Sequence, residues 1–134
     1  MTNLVETKNN AVGWFEIPVS DMARAVKFYE TVLDVKFEPY KVGEHEMALF
    51  PMTEGRGASG ALVYHKEFYK TPKDPKEGVL IYFTSHSGDL TNESRRIDQA
   101  GGRVVVPRES IGAHGFIAIF LDSEGNRVAL HSRK

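Results

Sequence analysis

The sequence predicts an α+β domain of two tandem βαβββ half-repeats, whose strands form a curved, cup-like mixed sheet with helices outside. Three observations predict it. Apolar residues alternate at period two in short runs, an amphipathic helix follows the first run, and the whole order recurs once along the chain. Neither half can bury a sheet face alone, so two halves side by side share a core and leave a concave face as a natural pocket.

The 134 residues make one domain. Residues 1–10 read as a loose arm and 11–134 as the domain, with half-repeats over 11–65 and 79–134 and a linker over 66–78 that carries Pro72 and Pro75 among charges. In the first half, Phe15, Ile17 and Val19 share one strand face, and Trp14, Glu16 and Pro18 share the other. Ser20 or Asp21 caps a helix in which Met22, Ala25, Val26, Tyr29, Val32 and Leu33 recur at three- and four-residue steps. Strands are expected over Val35–Val42, Glu46–Pro51 and Gly60–His65, parted by glycine-containing turns.

The second half repeats the order. Val79–Thr84 is a β-prone run, Asp89 or Thr91 caps a helix through Ala100, and Gly101-Gly102 ends it. Strands fit Arg103–Pro107, Gly115–Leu121 and Arg127–Ser132, with Asp122–Asn126 as a hairpin turn. One offset of 68 positions takes Asp21 to Asp89, Tyr29 to Ile97, Pro39 to Pro107, Leu49 to Ile117, Gly57 to Gly125 and Ala61-Leu62 to Ala129-Leu130. A shared order at constant spacing points to duplication.

Composition narrows the function. Lys and Arg number 17 against 18 Asp and Glu, and neither sign is gathered into a block, which argues against nucleic acid or an anionic membrane as partner. With no cysteine, thiolate metal sites and cysteine nucleophiles are excluded. The first ten residues are polar and no run reaches the length of a membrane span, so a soluble cytoplasmic protein is expected.

The segments Trp14–Tyr29 and Gly115–Leu130, with the helix end Asp98-Gln99-Ala100-Gly101-Gly102-Arg103-Val104, resemble the opening strand–helix and closing hairpin of the vicinal oxygen chelate superfamily. That superfamily includes glyoxalase I, bleomycin-binding proteins and extradiol dioxygenases. The resemblance implies a small-molecule pocket, frequent homodimerisation, and in the enzymes a divalent metal held by four inward side chains, one on the first and one on the last strand of each half. Carried over, these positions fall on Trp14, Ala61, Tyr82 and Ala129, with Leu80 replacing Tyr82 if the Ser85–Gly88 turn holds a two-residue insertion. The enzymes need imidazole or oxygen donors there, and two alanines and a tryptophan supply none. No cofactor is expected, and a metal only through a non-standard site.

The residues themselves offer further candidates. Period two sets Glu16 beside Trp14 on the inward face, where a carboxylate is either a general base or a hydrated rim group. Trp14, Tyr82, Phe50, Phe116 and Phe120 are expected to line the pocket and contact a ligand, or to pack the core. Among the histidines, His114 in Gly112-Ala113-His114-Gly115 is the best ligand contact. His65 and His131 share the face of Ala61 and Ala129 at the strand ends, and Phe68 and Tyr69 either cover the mouth or anchor the linker. Gly55-Arg56-Gly57-Ala58-Ser59-Gly60 matches G-x-G-x-x-G, but strand rather than helix follows it, so it reads as a hairpin turn. Three functions remain open: a metal-free binding module, a glyoxalase-like lyase or isomerase (or related enzyme) with Glu16 as base, and a structural or regulatory protein with a filled pocket.

Overall fold

The structure, a computed structural model, describes residues 10–134; the arm expected over 1–10 lies almost wholly outside them. The first half holds β1 (Phe15–Pro18), α1 (Met22–Leu33), β2 (Glu38–Val42), β3 (His45–Leu49) and β4 (Gly60–Tyr64). The second holds β5 (Tyr82–Thr84), α2 (Leu90–Ser94), α3 (Ile97–Ala100), β6 (Arg103–Ser110), β7 (Phe116–Leu121) and β8 (Arg127–Ser132). The strands form two mixed four-stranded sheets, ordered β1-β4-β3-β2 and β5-β8-β7-β6. Each sheet has one parallel pair, β1 with β4 and β5 with β8, and antiparallel pairs elsewhere.

Alternation sends one face of each sheet to a common core beneath the helices. Ile17, Leu62, Ala118, Phe120 and Leu130 join Phe28, Tyr29 and Val32 of α1 there, all fully or almost fully buried. Phe83 of β5 lies 5.9 Å from Phe15 of β1 and 5.8 Å from Tyr29, so the aromatic side chains of the two halves meet across the repeat boundary. Gly60 closes the glycine-rich turn because β1 passes over it: a Cβ there would lie 2.1 Å from the Phe15 carbonyl oxygen. Its motif is a packing device.

Pairing register corrects the uniform offset. Glu16 faces Ala61 across β1 and β4, and Tyr82 faces Ala129 across β5 and β8. Glu16 thus corresponds to Tyr82, and Trp14 to Leu80. The two extra residues fall in the turn after β5, and buried Glu93 gathers them by accepting from the Ser85 hydroxyl at 2.7 Å and from the Ser87 hydroxyl at 3.1 Å. Other elements also depart from expectation. The second helix breaks at Arg95 and Arg96, where the Arg96 guanidinium turns to donate to the Val32 carbonyl at the end of α1 (2.9 and 3.2 Å). Strand β6 continues past Pro107 to Ser110, with register shifts on either side of Val106 that absorb a residue with no N–H. β5 is shorter than expected, because Val79 is left in solvent.

The halves are locked by the β7–β8 turn. Glu124 reaches the start of α1 and accepts from the backbone N–H of Asp21 (2.8 Å) and Ser20 (2.9 Å) and from Arg24 Nε (2.6 Å) and Nη2 (3.0 Å). Beside it, Asp122 Oδ2 accepts from the Tyr29 hydroxyl at 2.5 Å, and Asn126 Nδ2 donates to the Pro18 carbonyl at 2.9 Å. Burial works against ionisation of Glu124, but the Arg24 guanidinium, the two N–H groups and the Ser123 hydroxyl outweigh it and hold the carboxyl at about 2, below its ordinary 4.5. Burial pushes the Asp122 carboxyl up despite its own donors, and it also drives the Tyr29 hydroxyl well above its usual range.

A depressed folded value means that Glu124 contributes stability above its unfolded value, which is lost as pH falls from about 4.5 towards about 2. Asp122, with its value raised, acts in the opposite direction. Glu124→Gln is therefore expected to cost about 2–3 kcal/mol at neutral pH and to remove most of the acid-side loss, measured by urea denaturation across pH. An unchanged acid slope would show that the clasp does not set the pH response.

Candidate functional site

The concave faces begin from the same alternation that builds the core. Residues whose neighbours point into the core point outwards here: Glu16, Ala61 and Leu49 in the first sheet, and Tyr82, Ala129 and Ile119 in the second, each set in register across its strands. Ala61 and Ala129 have no exposure, being small side chains on central strands.

In the second sheet the concave face is open. Tyr82, Thr84, Ile111, Ile117 and His131 line a pocket of about 280 Å³. Tyr82 is 50% exposed there. His131 Nε2 lies 2.6 Å from the His114 carbonyl, and since a carbonyl only accepts, Nε2 carries the proton. In the neutral ring that leaves Nδ1 as an acceptor. The pocket thus offers an aromatic face, two apolar walls and three polar groups.

In the first sheet the corresponding surface is occupied by the chain itself. The Glu16 carboxylate accepts a hydrogen bond from the Tyr69 hydroxyl, and Trp14 Nε1 donates to its other oxygen at 3.3 Å. The Tyr69 hydroxyl is raised above its ordinary value, first by that hydrogen bond and then by burial. The turn carrying Tyr69 is pinned by His65, whose Nδ1 accepts from the N–H groups of Glu67 (3.0 Å) and Phe68 (3.1 Å), and the Phe68 ring stacks on the imidazole at 4.7 Å. A larger hollow of about 550 Å³ lies between α1 and the outer strands of the first sheet, lined by Met22, Val26, Pro39, Met47 and Ala48 among others.

Several expected site residues lie elsewhere. Phe120 is fully buried and Phe50 nearly so, both within the core. Phe116 also points to the helix side, where the Arg108 guanidinium sits 3.7 Å from its ring centroid. The alternation of β7 explains this: Phe116, Ala118 and Phe120 share the core face, and Ile117 and Ile119 face outwards. His114 is exposed in a short 3-10 turn, and what it gives the pocket is its carbonyl. Trp14 and Glu16 are together as expected. Thr84, Ile111 and Ile117 line the pocket without having been expected there; period two carries Tyr82 to Thr84 and the outward Ile119 to Ile117, but nothing local marks Ile111.

Compared with known proteins, the fold has clear relatives. The description Glyoxalase/Bleomycin resistance protein/Dioxygenase superfamily matches residues 11–130, so the chain belongs to that superfamily. Glyoxalase I from Zea mays is 22% identical, with a TM-score of 0.69 over 90% of this chain and 45% of that one. The chain thus spans about half the length of the maize enzyme. TnmS3, an antibiotic binding protein from Streptomyces sp. CB03234, is 22% identical with a TM-score of 0.63, covering 96% of this chain and 100% of that one. A domain from Frankia sp. EAN1pec described as glyoxylase/bleomycin resistance protein/dioxygenase is 18% identical with a TM-score of 0.69, covering 98% and 100%. No curated protein sequence matches significantly. At these identities the structural likeness establishes the fold alone.

The fold family's divalent metal does not suit the residues at its positions. With register taken into account these are Trp14, Ala61, Leu80 and Ala129, which offer neither imidazole nor carboxylate. Among the described residues, no three His, Asp or Glu side chains converge as a metal-binding group. Because Phe120 is a packing residue, Phe120→Leu is expected to lower stability by about 1 kcal/mol in chemical denaturation while the backbone amide shifts of Tyr82 and Thr84 stay in place. Broad shifts across β5 would instead tie Phe120 to the pocket.

Proposed function

We propose that the chain is a metal-independent small-molecule-binding protein of the superfamily, with its ligand on the concave face of the second sheet. One observation carries the reading. Where the superfamily's enzymes hold metal donors the chain has small or apolar side chains, and the same face of the second sheet carries, from Tyr82 onwards, a pocket of about 280 Å³ lined by Tyr82, Thr84, Ile111, Ile117 and His131. Its size and mixed lining suit a single-ring aromatic or oxygenated molecule, stacked on Tyr82 and hydrogen-bonded to His131 and Thr84. The fold likeness to an antibiotic binding protein agrees with a binding role. A lyase or isomerase using Glu16 as base is less favoured, since Tyr69 and Trp14 each donate to one of that carboxylate's oxygens and occupy the lone pairs a base would turn to substrate. A homodimer in the cytoplasm completes the reading.

Thermal shift against a library of single-ring aromatic acids, phenols and lactones tests it. A true ligand raises the melting temperature with concentration, and Tyr82→Ala weakens it about tenfold, roughly 1.4 kcal/mol. Zn²⁺, Ni²⁺ and Mn²⁺ should leave the melting temperature unchanged. Stabilisation by one of these ions, or ligand binding indifferent to Tyr82, would overturn the proposal.

A further inference from the structure

The two concave faces are related by the repeat, yet one is open and the other is closed by the linker. Register pairs Glu16 with Tyr82, Met47 with Ile117 and Val63 with His131. The surface that forms a pocket in the second half therefore has a counterpart around Glu16. There a phenol hydroxyl already donates to the carboxylate, and it comes from residue 69 of the same chain. The Tyr69 ring also meets His45 edge-on at 5.6 Å.

We infer that the concave face of the first half is a second ligand site, that it takes aromatic molecules bearing a hydroxyl donor, and that Tyr69 occupies it as an internal stand-in for such a ligand. The resident states the chemistry of the site: a ring against His45, and an O–H donated to Glu16, whose second oxygen is steadied by Trp14 Nε1. The site is built to be vacated. Tyr69 is held by a turn that joins the sheet through a single bridge to His65, and that imidazole accepts the N–H groups of Glu67 and Phe68 through one nitrogen. Beyond the turn, residues 73–79 are exposed and outside any helix or strand. The Tyr69–Glu16 hydrogen bond is itself at the surface, so water can replace it at little cost. A tethered phenol competes with a free one as a high local concentration does, and removing it should reveal the site.

The experiment titrates 4-methylphenol into the full chain, followed by the Trp14 indole N–H resonance and fluorescence, and repeats this with Tyr69→Phe and Tyr69→Ala. Trp14 is the only tryptophan and bonds to the carboxylate in question. Tyr69→Phe should tighten apparent binding about fivefold and Tyr69→Ala at least as much, both with unchanged melting temperature. Adding Glu16→Ala should abolish the gain, and 4-methylanisole, which lacks the donor, should not bind. Equal affinity in wild type and both variants overturns the inference, as does equal binding of the anisole. Shifts confined to Tyr82, Thr84 and Ile117 also overturn it, while leaving the separate reading of the second-half pocket intact.

Discussion

The carboxylate of Glu124 lies about a hundred positions along the chain from the helix start that it holds, and the join between the halves depends on it. It takes in two backbone N–H groups at the entry to α1 and both ends of the Arg24 fork. With the start of α1 fixed there, the helix delivers Phe28 and Tyr29 into the space where the two sheets meet, and Tyr29 in turn closes on Asp122 of the same turn. Glu124 has no exposed side-chain surface while Arg24 is half exposed, so the pair is anchored on the acid. Deleting the acid would leave two partly buried N–H groups and the Arg24 guanidinium without their acceptor, a larger loss than that of a surface ion pair.

The second half does not copy this arrangement. Its helix start is capped by Asp89 as the first is by Asp21, but the buried acid beside it is Glu93, from within α2, and it holds the turn that carries the two extra residues. The Leu90 N–H goes to the Ser132 hydroxyl at the end of β8. Duplication has thus kept the backbone order and the N-cap, while the polar groups that close each half have diverged. One half is closed from across the molecule and the other from inside itself.

What the sequence revealed follows the range of the forces involved. Strand alternation in Phe15–Val19 and helical spacing in Met22–Leu33 are local signals, and both elements formed as their patterns require. The superfamily could also be read directly, because its opening and closing segments are short and dense in pattern. The orientation of β7 was harder. Phe116, Ile117, Ala118, Ile119, Phe120 and Leu121 are all apolar, so period two cannot say which set faces the core, and the pattern fits Phe120 to the pocket as readily as to the interior. The insertion after β5 was foreseen only as an alternative, because its effect, pairing Glu16 rather than Trp14 with Tyr82, depends on hydrogen-bond register between strands far apart in sequence. The Tyr69–Glu16 contact spans 53 positions through a linker with no periodic pattern, which leaves no local trace.

The asymmetry of the two concave faces has a physical origin in how each last strand ends. After β4 the chain turns back on itself, because the His65 imidazole offers an acceptor to the N–H groups of Glu67 and Phe68, and that turn swings Tyr69 over Glu16. The position in β8 that corresponds to Val63, His131, instead spends its ring N–H on the His114 carbonyl. That bond ties the end of β8 to the loop before β7, whose Ile111 forms one wall of a pocket that stays open beside Tyr82. The same duplicated sheet therefore presents one face that is open and one that is covered by a side chain from the linker.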